Sequence, residues 1–235
     1  MDNVDALKEQ AGIAACEFVK SGMKVGLGTG STVKFTVIEL GRMIKEDGLE
    51  IVGVPTSLAT QKLANKVGIP LVELSDVNGL DIVIDGADEF DPQFQLIKGG
   101  GAALLREKIV AQESSSMVVV ADKRKKVETL GAFPLPIEIT PFAYNSTIRK
   151  ISSILDCRVN CRMSGDNPVI TDNGNYIADA HCGPKITDPK STESEILKVA
   201  GVVQVGLFND MCDVIILAED GGISTLVRQD GRIVL

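Results

Sequence analysis

Tryptophan is absent from this 235-residue chain, histidine occurs once, and aromatic residues make up only 4% of it. The single imidazole, His181, excludes a histidine-rich metal centre and leaves any serine or cysteine triad just one base to draw on. No apolar run approaches the ~20 residues that a membrane span needs, so no membrane partner is expected. The first ten residues carry Asp2, Asp5, Lys8 and Glu9 where a signal peptide is apolar, so export is not expected either. Basic residues are in the minority, 24 against 32 acidic, for a formal charge of −8. A nucleic-acid module needs a basic face to meet the phosphate backbone, so that class of partner is set aside. A phosphorylated small molecule is not, because charges more than about 8 Å away are largely screened. The five cysteines, Cys16, Cys157, Cys161, Cys182 and Cys212, are odd in number and scattered, the usage of reduced thiols in a cytoplasmic protein. Cys157 and Cys161 lie four residues apart without the second pair of ligands that zinc would need.

What the chain does have is an alternation of two periodicities in its first half. Val4, Leu7, Ala11, Ala14 and Phe18 mark one face of a helix that Gly22 ends. Short apolar strands are predicted at 23–27, 51–54, 81–85 and 117–121. Helices are predicted through Val33, Val37, Leu40 and Ile44, over 58–67, and from the glycines at 99–101 to about Glu113. Strands alternating with helices imply βαβ units and a parallel sheet, an α/β fold. The rhythm changes near Gly131, where Pro134, Pro136 and Pro141 punctuate the chain and Pro141 is placed to open a helix reaching Leu155. Strands at 169–171 and 176–180 flank Asn173-Gly174, a hairpin signal; a helix at 191–199 and a strand at 202–207 follow. The tail adds a strand at 214–217 and a hairpin at Asp230-Gly231. This reads as a smaller α+β domain, 132–203, inserted into a larger one, 1–131 plus 204–235.

Three polar clusters fall at strand ends, where open α/β sheets bind their ligands. The first is Gly26-Leu27-Gly28-Thr29-Gly30-Ser31-Thr32, whose glycines, hydroxyls and helix-start N–H groups suit an anion. Ser31 stands where a dinucleotide fingerprint needs glycine, and no lysine completes a nucleotide P-loop. A plain connecting turn is the competing reading. The second, Asp85-Gly86-Ala87-Asp88-Glu89-Phe90-Asp91, packs four carboxylates into seven residues, which repel unless solvated, protonated or paired. Helix capping and solvation suit Glu89 and Asp91 better than Asp85, which ends an apolar strand. The third, Lys98-Gly99-Gly100-Gly101 leading to Arg106-Glu107-Lys108, spends backbone entropy on three glycines directly before a helix. Glu107 on its own reads as a favourable acid in an early helical turn; beside Lys98 and Asp85 it becomes a candidate base. The run Lys123-Arg124-Lys125-Lys126 reads as a solvated loop with one lysine in reach of a phosphate. His181 reads as structural.

These clusters, in this order and spacing, together with Ala121-Asp122, Phe133-Pro134-Leu135-Pro136, Thr171-Asp172-Asn173-Gly174-Asn175 and Val205-Gly206-Leu207-Phe208, resemble the ribose-5-phosphate isomerase A family over nearly the whole chain. The resemblance implies a Rossmann-like domain carrying a smaller ferredoxin-like domain that takes part in assembly, and a homodimer or larger homo-oligomer. It implies interconversion of D-ribose 5-phosphate and D-ribulose 5-phosphate in the pentose phosphate pathway, with no metal and no cofactor. By position, Glu107 corresponds to the proton-transferring base, with Asp85, Lys98 and Asp88 as the other catalytic groups. Thr29, Gly30, Ser31, Thr32, Gly86, Ala87, Gly99, Gly100, Gly101 and Lys125, with Asp85, Asp88 and Lys98, would line the substrate site. The chemistry is consistent with that inventory. Moving a proton between C2 and C1 needs one carboxylate, whose ordinary pKa of about 4.3 burial can raise, and donors for the enediolate oxygen. Two rivals are a sugar-phosphate sensor on the same fold without catalysis and a CoA-transferase-like enzyme.

Overall fold

A computed structural model describes residues 3–232. In chain order its elements are α1 (Asn3–Ala14), β1 (Lys24–Leu27), α2 (Val33–Glu46), β2 (Val52–Pro55), α3 (Leu58–Val67), β3 (Ile82–Gly86), β4 (Glu89–Phe90), β5 (Leu96–Ile97), α4 (Leu104–Gln112) and β6 (Met117–Asp122). They continue with β7 (Leu135–Ile139), α5 (Tyr144–Leu155), β8 (Arg158–Cys161), β9 (Met163–Ser164), β10 (Asn167–Pro168), β11 (Tyr176–His181), α6 (Pro189–Leu197), β12 (Val202–Val205), β13 (Leu207–Phe208), β14 (Val214–Glu219) and β15 (Gly222–Val227). The chain divides into two units: Met1–Gly86, Arg106–Lys125 and Met211–Leu235 in the larger, Ala87–Leu105 and Lys126–Asp210 in the smaller.

The larger unit is built on a six-stranded sheet of order β15-β14-β6-β3-β1-β2, parallel except for the edge strand β15. β3 and β6 read as unbroken apolar runs because helices cover both faces of a parallel sheet. β15 alternates half-buried and exposed residues, as an antiparallel edge strand does. One core layer joins Val25, Leu27, Ile82, Ile84, Val118, Val120, Val214 and Ile216 to Ala11, Val37 and Leu40. The helix over Leu58–Val67 has both ends written locally. The Ser57 hydroxyl accepts the Thr60 N–H, and Gly68 closes the helix at φ +89°. From β1 the chain steps to β2 on one side and to β3 on the other, so the topological switch point lies between β1 and β3.

The smaller unit contains an antiparallel sheet of order β12-β7-β11-β8, with α5 and α6 in the connections. Strand, helix, two strands, helix and strand in that order make the ferredoxin-like βαββαβ arrangement. A second sheet, β13-β5-β4, belongs to the same unit.

Several expectations from the sequence need correction here. Residues 87–105 join the smaller unit, which runs from 126 to 210 rather than from 132 to 203. The cause is tertiary pairing: β5 pairs with β13, and the buried Glu89 carboxylate accepts the N–H groups of Gly131 and Phe133. The predicted strand 202–207 is two strands in different sheets, β12 and β13, hinged at Gly206; a Cβ there would lie 2.3 Å from the Lys98 carbonyl oxygen. Residues 169–171 form a single bridge, Ile170 to Tyr176, because Thr171 turns into a loop bonded to Glu138. α5 begins at Tyr144, not Pro141. The final hairpin turns at Asp220-Gly221, between β14 and β15, while the strand that would follow Asp230-Gly231 falls largely on 233–235, outside the described residues. Finally, Cys157 and Cys182 form a disulfide, Cα to Cα 5.0 Å. Antiparallel pairing of Arg158 with His181 puts the next residues outward opposite each other, a consequence of register that cysteine counting does not reveal. Cys16, Cys161 and Cys212 are not in disulfides, and burial pushes the Cys16 thiol up to about 12.

Candidate active site

In the larger unit the site grows from the switch point. Leu27 pairs with Ile84, which sets Gly28 beside Asp85; the Gly28 N–H donates to the Ile84 carbonyl at 2.9 Å. A Cβ on Gly28 would lie 2.3 Å from Asp85 Oδ1, so glycine here is a condition for Asp85 occupying its place. Asp85 is fully buried, and its Oδ1 accepts the N–H groups of Thr29 at 3.1 Å and Gly86 at 2.7 Å. Such bonds fix the orientation of its carboxyl group. The Thr29 hydroxyl is committed to Thr56, Ser57 and Thr60 at 2.7, 2.8 and 3.2 Å, a hydroxyl cluster that stiffens the loop from beneath. Gly30, at φ +139°, turns the chain over; Gly30 and Ser31 are exposed and Thr32 is half-buried at the start of α2.

Glu107 stands in the first turn of α4 and is only 4% exposed. Val110, one turn further on the same helical face, approaches β1 so closely that a Cβ on Gly26 would lie 2.7 Å from its Cγ1. A helix connecting parallel strands runs against them, so the first turn of α4, and Glu107 with it, lies at the carboxyl ends of the sheet. Asp85 emerges at those same ends. Lys125 closes the short 3₁₀ turn after β6 and is half-buried. In that turn the Arg124 guanidinium holds the buried Asp122 carboxyl below the usual carboxylate range, with Lys125 adding to the effect.

The smaller unit carries the remaining candidates. Lys98, 2% exposed, directly follows β5; its N–H donates to the Gly206 carbonyl at 2.9 Å and its ammonium lies 5.3 Å from the centre of the Phe208 ring. Gly99 adopts φ +108° and has no room for a Cβ against Leu104 at 2.7 Å. Asp88, half-buried and one residue past Ala87, accepts the Gly100 N–H at 2.7 Å. Gly100 and Gly101 are exposed. Eight of the predicted residues thus belong to the larger unit (Thr29, Gly30, Ser31, Thr32, Asp85, Gly86, Glu107, Lys125) and six to the smaller (Ala87, Asp88, Lys98, Gly99, Gly100, Gly101). Sequence reasoning missed two supports of these loops. Ser57 could have been found, since a serine before a helical pattern signals an N-cap. Arg162 could not: its partners lie 17, 62 and 63 residues away.

Fold and site together define a class: a doubly wound α/β protein with an anion-suited glycine turn and buried carboxylates at the switch point of its sheet. Comparison with known proteins makes that specific. The family model for ribose 5-phosphate isomerase A (phosphoriboisomerase A) matches residues 52–222. The chain is 48% identical to ribose-5-phosphate isomerase A of Ruegeria sp. over 93% of this chain and 86% of that protein. It is 50% identical to the Bacillus cereus protein of the same name over 94% and 99%. A solved D-ribose-5-phosphate isomerase in complex with phospho-erythronic acid superposes with TM-score 0.93 at 41% identity, over 96% of this chain and 100% of that one. The isomerase of Methanocaldococcus jannaschii superposes with TM-score 0.90 at 40% identity, over 95% and 99%. The chain belongs to the ribose-5-phosphate isomerase A family. None of these comparisons supports the sensor or the CoA-transferase reading.

Proposed function

We propose that the chain interconverts D-ribose 5-phosphate and D-ribulose 5-phosphate, with Glu107 as the proton-transferring base. The observation that carries this reading is a carboxylate 4% exposed in the first turn of α4, at the sheet end where Asp85 emerges. The Glu107 carboxylate removes the proton from C2 of the opened aldose and returns it to C1, while O2 gives up a proton and O1 gains one. The Lys98 ammonium and the N–H groups of Gly99 and Gly101 stabilise the enediolate oxygen between the two transfers, while the Gly100 N–H holds Asp88 in place. Such donors are worth about 3–4 kcal/mol each when preorganised. Asp85, with Gly86 and Ala87 beside it, and Asp88 handle the sugar hydroxyls and ring opening. Gly30, Ser31, Thr32 and Lys125 hold the phosphate, on a loop that Thr29 stiffens from beneath, and its binding energy positions the reacting carbons. The phospho-erythronic acid bound to the related isomerase supports this assignment, because a planar carboxylate beside hydroxylated carbons mimics an enediolate. Neither a metal nor a redox cofactor takes part.

The working form is a homodimer or larger homo-oligomer acting in the cytoplasm, where the reaction serves the pentose phosphate pathway. In a reducing compartment Cys157 and Cys182 would stand as neighbouring thiols held by the same strand register. Turnover of ribose 5-phosphate by the purified protein, compared with Glu107→Gln, tests the reading. The amide keeps the shape of the side chain and loses its basicity, so binding should survive while turnover disappears. Retained turnover in Glu107→Gln removes the assignment.

A further inference from the structure

We infer that Arg162 is a positioning residue for the isomerisation, acting through the glycine loop that follows Lys98. It lies between β8 and β9, and its guanidinium makes four hydrogen bonds, all within the smaller unit. Nε and Nη2 meet the two oxygens of Asp179 on β11 at 2.8 and 2.6 Å. Nη1 donates to the carbonyls of Gly99 and Gly100, at 2.9 Å each. The Arg162 and Asp179 side chains are only 17% and 15% exposed, so the pair is shielded and its geometry restrained.

The consequence follows from the planarity of the peptide. In a trans peptide the C=O and the N–H of the same unit point in opposite directions. Holding the Gly99 carbonyl on Arg162 therefore sends the Gly100 N–H the other way, where the Asp88 carboxylate accepts it at 2.7 Å. Holding the Gly100 carbonyl turns the Gly101 N–H away from Arg162 as well. Three glycines in a row would otherwise sample many orientations. Clamped from one side by a guanidinium and from the other by Asp88, they present their N–H groups in one. Arg162 does not touch substrate in this account; it sets the direction of the Gly101 N–H and, through the Gly100 N–H, the place of Asp88, both of which meet the sugar. A lysine could keep the charge near Asp179 but cannot span two carboxylate oxygens and two carbonyls at once.

The inference rests on the reading that this glycine loop binds the reacting sugar. Arg162→Ala and Arg162→Lys are compared with wild type by kcat and KM for ribose 5-phosphate, with melting temperature and added ethylguanidinium as further readouts. A misplacement of about 1 Å remote from the chemistry can cost ~10²-fold in rate. We expect both variants to lose about that factor in kcat. KM should stay within about threefold, because the phosphate is held by other residues. Ethylguanidinium should restore part of the kcat of Arg162→Ala, and ethylammonium should not. An Arg162→Lys protein with wild-type kcat overturns the inference. So does a folded Arg162→Ala protein whose only change is a lower melting temperature. Either result leaves the assignment of Glu107 standing. Wild-type protein without turnover would remove that assignment and this inference together.

Discussion

The tightest packing in the candidate site is the approach of Gly28 to Asp85, and Gly28→Ala puts a number on it. The added Cβ would lie 2.3 Å from Oδ1, 2.4 Å from Cγ and 2.6 Å from Cα of Asp85, where ordinary contact begins near 3.4 Å, a shortfall of 3.4 − 2.3 = 1.1 Å. Rotating the Asp85 side chain would relieve the first two contacts but not the third, which is backbone. β1 and β3 must therefore shift apart, and the bonds from the Thr29 and Gly86 N–H groups to Oδ1 lengthen or break. Overpacking of this kind costs about 1–3 kcal/mol. For a chain of this length that is ~2–4 °C in melting temperature per kcal/mol. Displacing a catalytic carboxylate by about 1 Å should cost a further ~10²-fold in kcat/KM. The assay is ketose formation from ribose 5-phosphate, with thermal melting followed by circular dichroism on the same samples. Gly221→Ala is the control, since a Cβ there meets nothing within 4 Å. A Gly28→Ala protein with wild-type kcat/KM and melting temperature would refute the argument that Asp85 must sit there to support turnover.

Two other substitutions probe the smaller unit. The fully buried Glu138 accepts hydrogen bonds from Thr171, Asn173 and Asn175 on one oxygen, at 3.0, 3.1 and 2.8 Å. Glu138→Ala strands the buried Thr171 hydroxyl, whereas the exposed Asn173 and half-buried Asn175 can turn to water, so it should lower stability by about 1–3 kcal/mol; denaturant unfolding with no measurable loss would refute the clasp. The Cys157–Cys182 bond spans a sequence separation of 25. Closing a loop of that length stabilises by about 3 kcal/mol on chain entropy. Reductant should lower the melting temperature of wild type and leave Cys157→Ser unmoved; equal sensitivity of the two proteins would contradict the bond.

Elements whose causes are local were legible in the sequence. The helix over Leu58–Val67 is bounded by its own cap serine and closing glycine, and the parallel strands announce themselves as apolar runs. The candidate site's polar clusters stand out for a related reason: glycines and carboxylates at the ends of apolar strands break the pattern around them. What escaped depends on partners far along the chain. β4, β5 and β13 are two residues each, too short for any periodicity, yet they carry residues 87–105 into the smaller unit. The disulfide follows from strand register, and Arg162 from a fork that reaches Asp179 and two loop carbonyls. Thr171 reads as the end of a strand until the buried Glu138 is known to draw it into a loop.

The claim that one carboxylate carries the proton from C2 to C1 is tested most directly by running the reaction in deuterium oxide. Proton transfer through an enediolate predicts that solvent deuterium reaches C1 of the ribulose 5-phosphate formed by wild type only to the extent that the proton held on Glu107 exchanges before it is returned, and that Glu107→Gln gives neither exchange nor product. A Glu107→Gln protein that still exchanges and turns over would contradict it.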